Sequence, residues 1–137
     1  MHQIPESSLW LGHAGDARDS EGLLLAGLIA VVDLALEEPP ARLIRELIYC
    51  RFPLHDGPGN PPWLLRAAVD TVAAMMRSGA PTLVSCRAGL SRSPCIAGAA
   101  IAQVRGCPAA EGPAIALGSA PADVSPALWA EVRKILE

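Results

Sequence analysis

The chain predicts an α/β domain with a mainly parallel central sheet of four to five strands, flanked by helices on both faces. Three observations carry that expectation. Short continuous apolar runs rich in β-branched residues, such as Leu28–Leu34, have the length and composition of strands buried on both sides. Longer segments between such runs have helical spacing. The clearest is Trp63–Ser78, where Leu64, Ala67, Ala68, Val72 and Met75 recur on one face. No linker, repeat or low-complexity stretch divides the 137 residues, a length that suits a single domain over residues 1–137 with a proper core. Strands alternating with helices then pair in parallel through crossovers.

The elements follow in order. Ile4 and Leu9-Trp10-Leu11 predict an N-terminal hairpin, and Asp16–Ala26 a short helix capped by Asp16 and stopped at Gly27. Leu28–Leu34 is a parallel strand inside the sheet. Pro39 and Pro40 are expected to open a helix through Ile44, ahead of a strand over Leu47–Phe52. Pro53–Pro62 reads as a loop from its Gly and Pro content. The helix over Trp63–Ser78 ends at Gly79, and Thr82–Val84 is the next strand. A buried helix runs from Arg92 to about Val104, because Pro94–Ala102 is almost wholly small and apolar. Two helices near Ala109–Leu117 and Pro126–Leu136 close the domain. Trp10, Trp63 and Trp129 are expected in the core, with Cys50 and Cys95. Glu37-Glu38 reads as a solvated turn, and His2 and His13 as surface residues.

Composition narrows the function. Hydrophobic residues make up 51% of the chain and aromatic ones 4%, so the core is expected to consist of Ala, Leu, Val and Ile. No apolar run approaches the ~20 residues that span a bilayer, since Gly27 and Asp33 interrupt Leu23–Leu36. Met1–Glu6 lacks the basic-then-apolar pattern of a secretory signal. A net charge of −3 and the lack of any basic run argue against nucleic acid as a partner. The four cysteines, Cys50, Cys86, Cys95 and Cys107, have neither zinc-site spacing nor the density of a disulfide scaffold. The expectation is a protein of the reducing cytoplasm with no cofactor, metal or membrane.

The chemistry concentrates in Cys86-Arg87-Ala88-Gly89-Leu90-Ser91-Arg92-Ser93, between a strand end and a helix start. Unpaired N–H groups and the helix dipole favour an anion there, and the same field favours the attacking thiolate of Cys86. Amides from Arg87 through Ala88, Gly89, Leu90 and Ser91 to Arg92 can form a nest around phosphate oxygens. Gly89 supplies a positive backbone dihedral, and Arg92 a planar fork for two oxygens. Ser93 can donate to the Cys86 sulfur as it departs. Arg87 is expected to face outward. Phosphoryl transfer also needs a proton donor for the leaving oxygen. Asp56, on a glycine-rich loop beyond a strand end, is the candidate, with His55 as its competitor. Asp33 is expected to bond a nearby loop rather than act as a second acid.

Val84-Ser85-Cys86-Arg87-Ala88-Gly89-Leu90-Ser91-Arg92-Ser93 resembles the signature of dual-specificity phosphatases, within the cysteine-dependent protein-tyrosine-phosphatase superfamily. Weaker resemblance covers most of the chain. Ser8-Leu9-Trp10-Leu11-Gly12 looks like the family's opening strand, Val31–Leu34 like a core strand, and Phe52–Asp56 like the approach to its acid loop. The resemblance implies that Cys86 is the nucleophile, Arg92 the phosphate clamp, Asp56 the general acid and Ser93 the thiolate-assisting hydroxyl. It implies hydrolysis of phosphomonoesters through a cysteinyl phosphate, on proteins or peptides phosphorylated at Tyr, Ser or Thr. Ser85 departs from the pattern, because the family places a histidine directly before the nucleophile. A serine carries no positive charge, so slower turnover near neutral pH is expected. The alternative is a phosphate-binding pseudophosphatase with little turnover. A rhodanese-like sulfur carrier is disfavoured by Asp56 and the Arg92-Ser93 ending.

Overall fold

A computed structural model describes residues 1–137. Its strands are β1 (His2–Gln3), β2 (Leu9–His13), β3 (Ala30–Ala35), β4 (Ile48–Leu54) and β5 (Thr82–Cys86), ordered β1-β2-β5-β3-β4 in one sheet. Only β1 pairs antiparallel; the other ladders are parallel, with His13 beside Cys86 and Asp33 beside Ser85. The helices are α1 (Ala14–Ala17), α2 (Ser20–Leu25), α3 (Pro62–Arg77), α4 (Arg92–Arg105), α5 (Gly112–Leu117) and α6 (Pro126–Ile135), with a 3-10 turn at Ala109–Glu111. This is the mainly parallel α/β sheet that the sequence predicts.

Alternation along the strands divides the core into two. Val32 and Val84 point into a 22-residue cluster with Leu9, Leu11 and the apolar faces of α3, α4 and α6. Val31 and Leu83 point the other way, into a six-residue cluster with Ala17, Leu23, Leu28 and Leu47. Full burial of a Val, Leu or Ile contributes roughly 1.5–3 kcal/mol, so the larger face supplies most of the apolar stabilisation. At its centre, α4 is buried without interruption from Arg92 to Ala102. Small residues let α5 lie close against it: a Cβ on Gly98 would stand 2.5 Å from the Pro113 nitrogen. Cys95 is fully buried and Cys50 half-buried against the same cluster. The helix is thereby fixed, and the loop at its N-terminus with it.

Four expectations need correction. The helix expected over Asp16–Ala26 is two helices, α1 and α2. His13 caps the first: its Nδ1 accepts from the Asp16 amide at 3.3 Å while Asp16 Oδ2 accepts from the His13 amide at 3.0 Å. Asp16 therefore sits at the third helical position, and Asp19 caps α2. Residues 39–44 form no helix. Two successive prolines bring no N–H, and the amides of Ala41 and Ile44 donate instead to Tyr49 Oη and Ser20 Oγ. The strand expected to stop at Phe52 continues through Pro53 to Leu54, which β4 tolerates as an edge strand. Trp63 is 70% exposed, because the buried stripe of α3 runs along Leu65, Ala68, Val69, Val72 and Ala73 instead. Trp10 and Trp129 do pack against the core.

Candidate active site

The segment from Arg87 to Ser91 turns from the end of β5 into α4. Gly89 has φ 76°, and a Cβ there would lie 2.9 Å from the Gly12 carbonyl oxygen, so both dihedral and space require glycine. The loop's carbonyls are tied outward: Arg87 O accepts from Ala14 N at 3.1 Å, Leu90 O from Asp123 N at 2.9 Å, and Ser91 O from Cys95 N at 3.0 Å. The amides of Arg87 to Ser91, by contrast, donate to no group of the protein. A run of unpaired donors at the positive end of a long helix can act as an oxyanion cradle.

Cys86, 2% exposed, ends β5 beside this cradle. A cleft of about 220 Å³ opens over it, lined by Cys86, Arg92, Asp56, Glu37 and Asp123 together with loop residues including Arg87 and Ser91. Arg92 is 3% exposed. Its Nη1 donates to Leu54 O at 2.8 Å, while Glu37 accepts from both Nη atoms at 2.6 and 3.1 Å. Its Nε has no partner. The guanidinium is thus anchored, with one buried N–H left unpaired.

Glu37 is the residue that the sequence reading missed. Placed there in a solvated turn, it instead clamps Arg92, and Glu38 lies between Arg18 at 2.6 Å and the exposed Arg87 at 3.9 Å. The turn is built from below by Arg51, which donates to the carbonyls of Ala35, Leu36 and Glu38 at 3.2, 3.3 and 2.8 Å. Asp33 bonds strand residues rather than the loop expected: Oδ1 accepts from Ala35 N in β3 at 3.0 Å and Oδ2 from the Tyr49 hydroxyl in β4. Burial, and then the bond to Asp33, push the Tyr49 pKa up.

Asp56 follows β4 on a loop closed by Asn60, which is 5% exposed. Asn60 Oδ1 accepts from His55 N at 2.8 Å, and its Nδ2 donates to His55 O and Gly57 O at 3.0 and 3.3 Å. Glu131 of α6 accepts from Gly59 N at 2.8 Å. The fold brings Asp56 into the cleft; His55 is not among the lining residues. Asp56 Oδ1 accepts from Ser91 Oγ at 2.6 Å.

Two hydroxyls stand apart. Ser93 and Ser85 are fully buried, yet neither hydroxyl has a hydrogen-bond partner, so Ser93 makes no bond to the Cys86 sulfur. Behind the loop, burial and then the Asp56 charge push the Cys95 thiol up to about 12, which keeps it neutral.

No family model matches the chain. Human dual specificity phosphatase 28 is 32% identical over 136 residues, which cover 95% of this chain and 74% of that protein. The crystal structure of human DUSP28 superposes with a TM-score of 0.81 at 26% identity, covering 95% of this chain and 92% of that one. A mouse dual specificity phosphatase complexed with zinc tungstate gives 0.80 at 26% identity, over 93% and 81% of the two chains. DUSP15 shares the fold, with a TM-score of 0.79 at 21% identity over 99% and 86%. With that relationship spanning nearly its whole length, the chain belongs to the dual specificity phosphatases, in the protein-tyrosine-phosphatase superfamily.

Proposed function

We propose that the protein is a cysteine-dependent protein phosphatase that works through a cysteinyl-phosphate intermediate. In the first half-reaction the Cys86 thiolate attacks phosphorus, the bond to the ester oxygen breaks, and Asp56 gives that oxygen its proton. In the second, water attacks phosphorus, Asp56 takes its proton, and the P–S bond breaks to return thiolate and free phosphate. Ser93 is assigned to stabilise the departing sulfur, a bond that its unpaired hydroxyl does not make in this structure and would have to form during the reaction. Arg92 and the amides from Arg87 to Ser91 stabilise the equatorial oxygens in both transition states.

One observation carries this reading: the five consecutive amides from Arg87 to Ser91 have no acceptor in the protein, Arg92 Nε is unpaired, and this loop and Arg92 border the cleft that Cys86 lines. The mouse relative complexed with zinc tungstate supports it, because tungstate is a tetrahedral oxyanion. The substrate class is a protein or peptide phosphorylated on Tyr, Ser or Thr. All four cysteines are free, which suits a reducing compartment such as the cytoplasm. The test is turnover of phosphopeptides and of an aryl phosphate, with Cys86→Ser as the blank. A covalent phosphoenzyme and turnover abolished in the blank are expected; a Cys86→Ser rate equal to wild type would overturn the assignment. Ser85 favours one second reading, a phosphate-binding pseudophosphatase, and tungstate binding without turnover is the result that would select it.

A further inference from the structure

We infer that Ser91 is a positioning residue for Asp56: its hydroxyl, aimed by the backbone amide of Ser125, determines which carboxyl oxygen handles the proton. The inference rests on the assignment of Asp56 as general acid and goes beyond the part Ser91 plays in the loop through its amide. Asp56 is exposed on its loop, so its carboxyl group needs an external constraint to keep one orientation. Ser91 is buried and supplies that constraint through a single bond, Oγ to Asp56 Oδ1 at 2.6 Å.

The direction of that bond is not free. A serine hydroxyl has one hydrogen and accepts through its lone pairs. The Ser125 amide donates to Ser91 Oγ at 2.9 Å and so occupies an acceptor site, leaving the hydroxyl hydrogen for Asp56. Ser125 is itself tied down. It caps α6, its own Oγ accepting from Leu128 N at 3.3 Å, and Leu128 and Val132 anchor that helix in the core. The loop is tied to the same segment a second time, where Asp123 N meets Leu90 O. The direction therefore runs from Ser125 N–H to Ser91 O–H to Asp56 Oδ1.

Oδ1 accepts this bond whether the carboxyl group is protonated or ionised. Oδ2 then carries the proton, gives it to the leaving oxygen in the first half-reaction, and takes one from water in the second. One hydrogen bond thus serves both steps without rearrangement, and it costs nothing at the phosphate cradle because the cradle uses the Ser91 amide.

The experiment compares Ser91→Ala, Ser91→Thr, Asp56→Asn and the double variant Asp56→Asn/Ser91→Ala on phenyl phosphate and on 2,4-dinitrophenyl phosphate. The second ester has a leaving group that needs no proton. Asp56→Asn is expected to lower kcat/KM on phenyl phosphate by about 10²–10⁴-fold. Ser91→Ala is expected to lower it by about 10–100-fold, the scale of a misplaced catalytic group. On the dinitrophenyl ester the loss in Ser91→Ala should be several-fold smaller than on phenyl phosphate. The double variant should be no slower than Asp56→Asn, and Ser91→Thr should recover most of the rate. Inhibition of Ser91→Ala by tungstate should match wild type, showing the cradle intact. A Ser91→Ala variant that slows both esters alike, or adds its full loss to Asp56→Asn, would overturn the inference and leave the acid assignment standing. A wild-type rate in Asp56→Asn on phenyl phosphate would remove both.

Discussion

Glu37 grips Arg92 end-on, Oε1 2.6 Å from Nη2 and Oε2 3.1 Å from Nη1. The two sides of the pair differ in solvation, with the Arg92 side chain 4% exposed and that of Glu37 42%. A buried guanidinium without a partner would be costly, whereas a half-exposed carboxylate loses little hydration on pairing. The pair therefore holds Arg92 in one orientation while its Nε stays unpaired. In the proposed mechanism the same carboxylate repels the dianion that Arg92 would bind.

That opposition yields the first prediction. Glu37→Gln should lower stability by about 1–3 kcal/mol, since a buried charge loses its counter-ion. It should also tighten tungstate binding several-fold, by roughly 1 kcal/mol, because a nearby negative charge is gone. Thermal unfolding and tungstate inhibition measure the two effects. Weaker tungstate binding in a folded variant would show that Glu37 acts only by orienting Arg92.

Asn60 gives the second. Its amide closes the acid loop with bonds to both polar groups of the His55 backbone and to Gly57 O, and it does so while almost fully buried. Asn60→Ala leaves those groups short of partners, at about 1–3 kcal/mol for the buried ones. The expected outcome is a lower Tm and a fall in kcat on phenyl phosphate that exceeds any rise in KM. A variant with wild-type kcat would show that Asp56 needs no help from this staple.

The parts of the site that were legible in the sequence are those made by consecutive residues. Cys86 to Ser93 is one such stretch, and Gly89 has the positive φ expected of it. Strands β3 and β5 were legible because both faces are buried and most of their residues are apolar, with Asp33, Thr82 and Ser85 as the exceptions. The contacts that shape the site, however, join distant positions. Glu37 and Arg92 are 55 residues apart, Asp56 and Ser91 35, and Ser91 and Ser125 34. Nothing in two acids after a strand, or in a serine before a proline, announces such partners. Residues 39–44 were misread for a related reason, since proline is as common at a helix start as in a strap, and only the tie from Ala41 N to Tyr49 Oη decides between them.

Ser85 supplies the third prediction. It lies in the middle of the sheet, beside Gly12 on one strand and Asp33 on the other, fully buried and with its hydroxyl unpaired. Neither a cation nor a hydrogen bond from this side chain supports the loop. Ser85→His should speed phosphoenzyme formation near neutral pH, read as the burst rate on an activated aryl phosphate. It should also cost about 1–3 kcal/mol of stability, because a larger ring must enter filled space. A folded variant whose burst is no faster than wild type would show that the missing histidine does not limit the first step.

Cys95 gives the fourth, and its sign can be worked out. Burial, reinforced by the Asp56 charge, raises this thiol from 9.0 to about 12 in the folded chain. Between those values the unfolded chain releases a proton that the native state retains, so rising pH favours unfolding. The slope is at most about 1.4 kcal/mol per pH unit, starts near pH 9, and vanishes below it. Other groups titrate in the same range, so the informative quantity is the stability difference between wild type and Cys95→Ala. On moving from pH 8 to pH 10.5 that difference should shift by about 2 kcal/mol in favour of the alanine variant, measured by urea unfolding. The thiol is neutral in both states at pH 8, so the alanine variant should be the less stable there by its lost packing alone. A difference that stays constant across the two pH values would mean that the buried thiol ionises as readily in the folded chain as in the unfolded one.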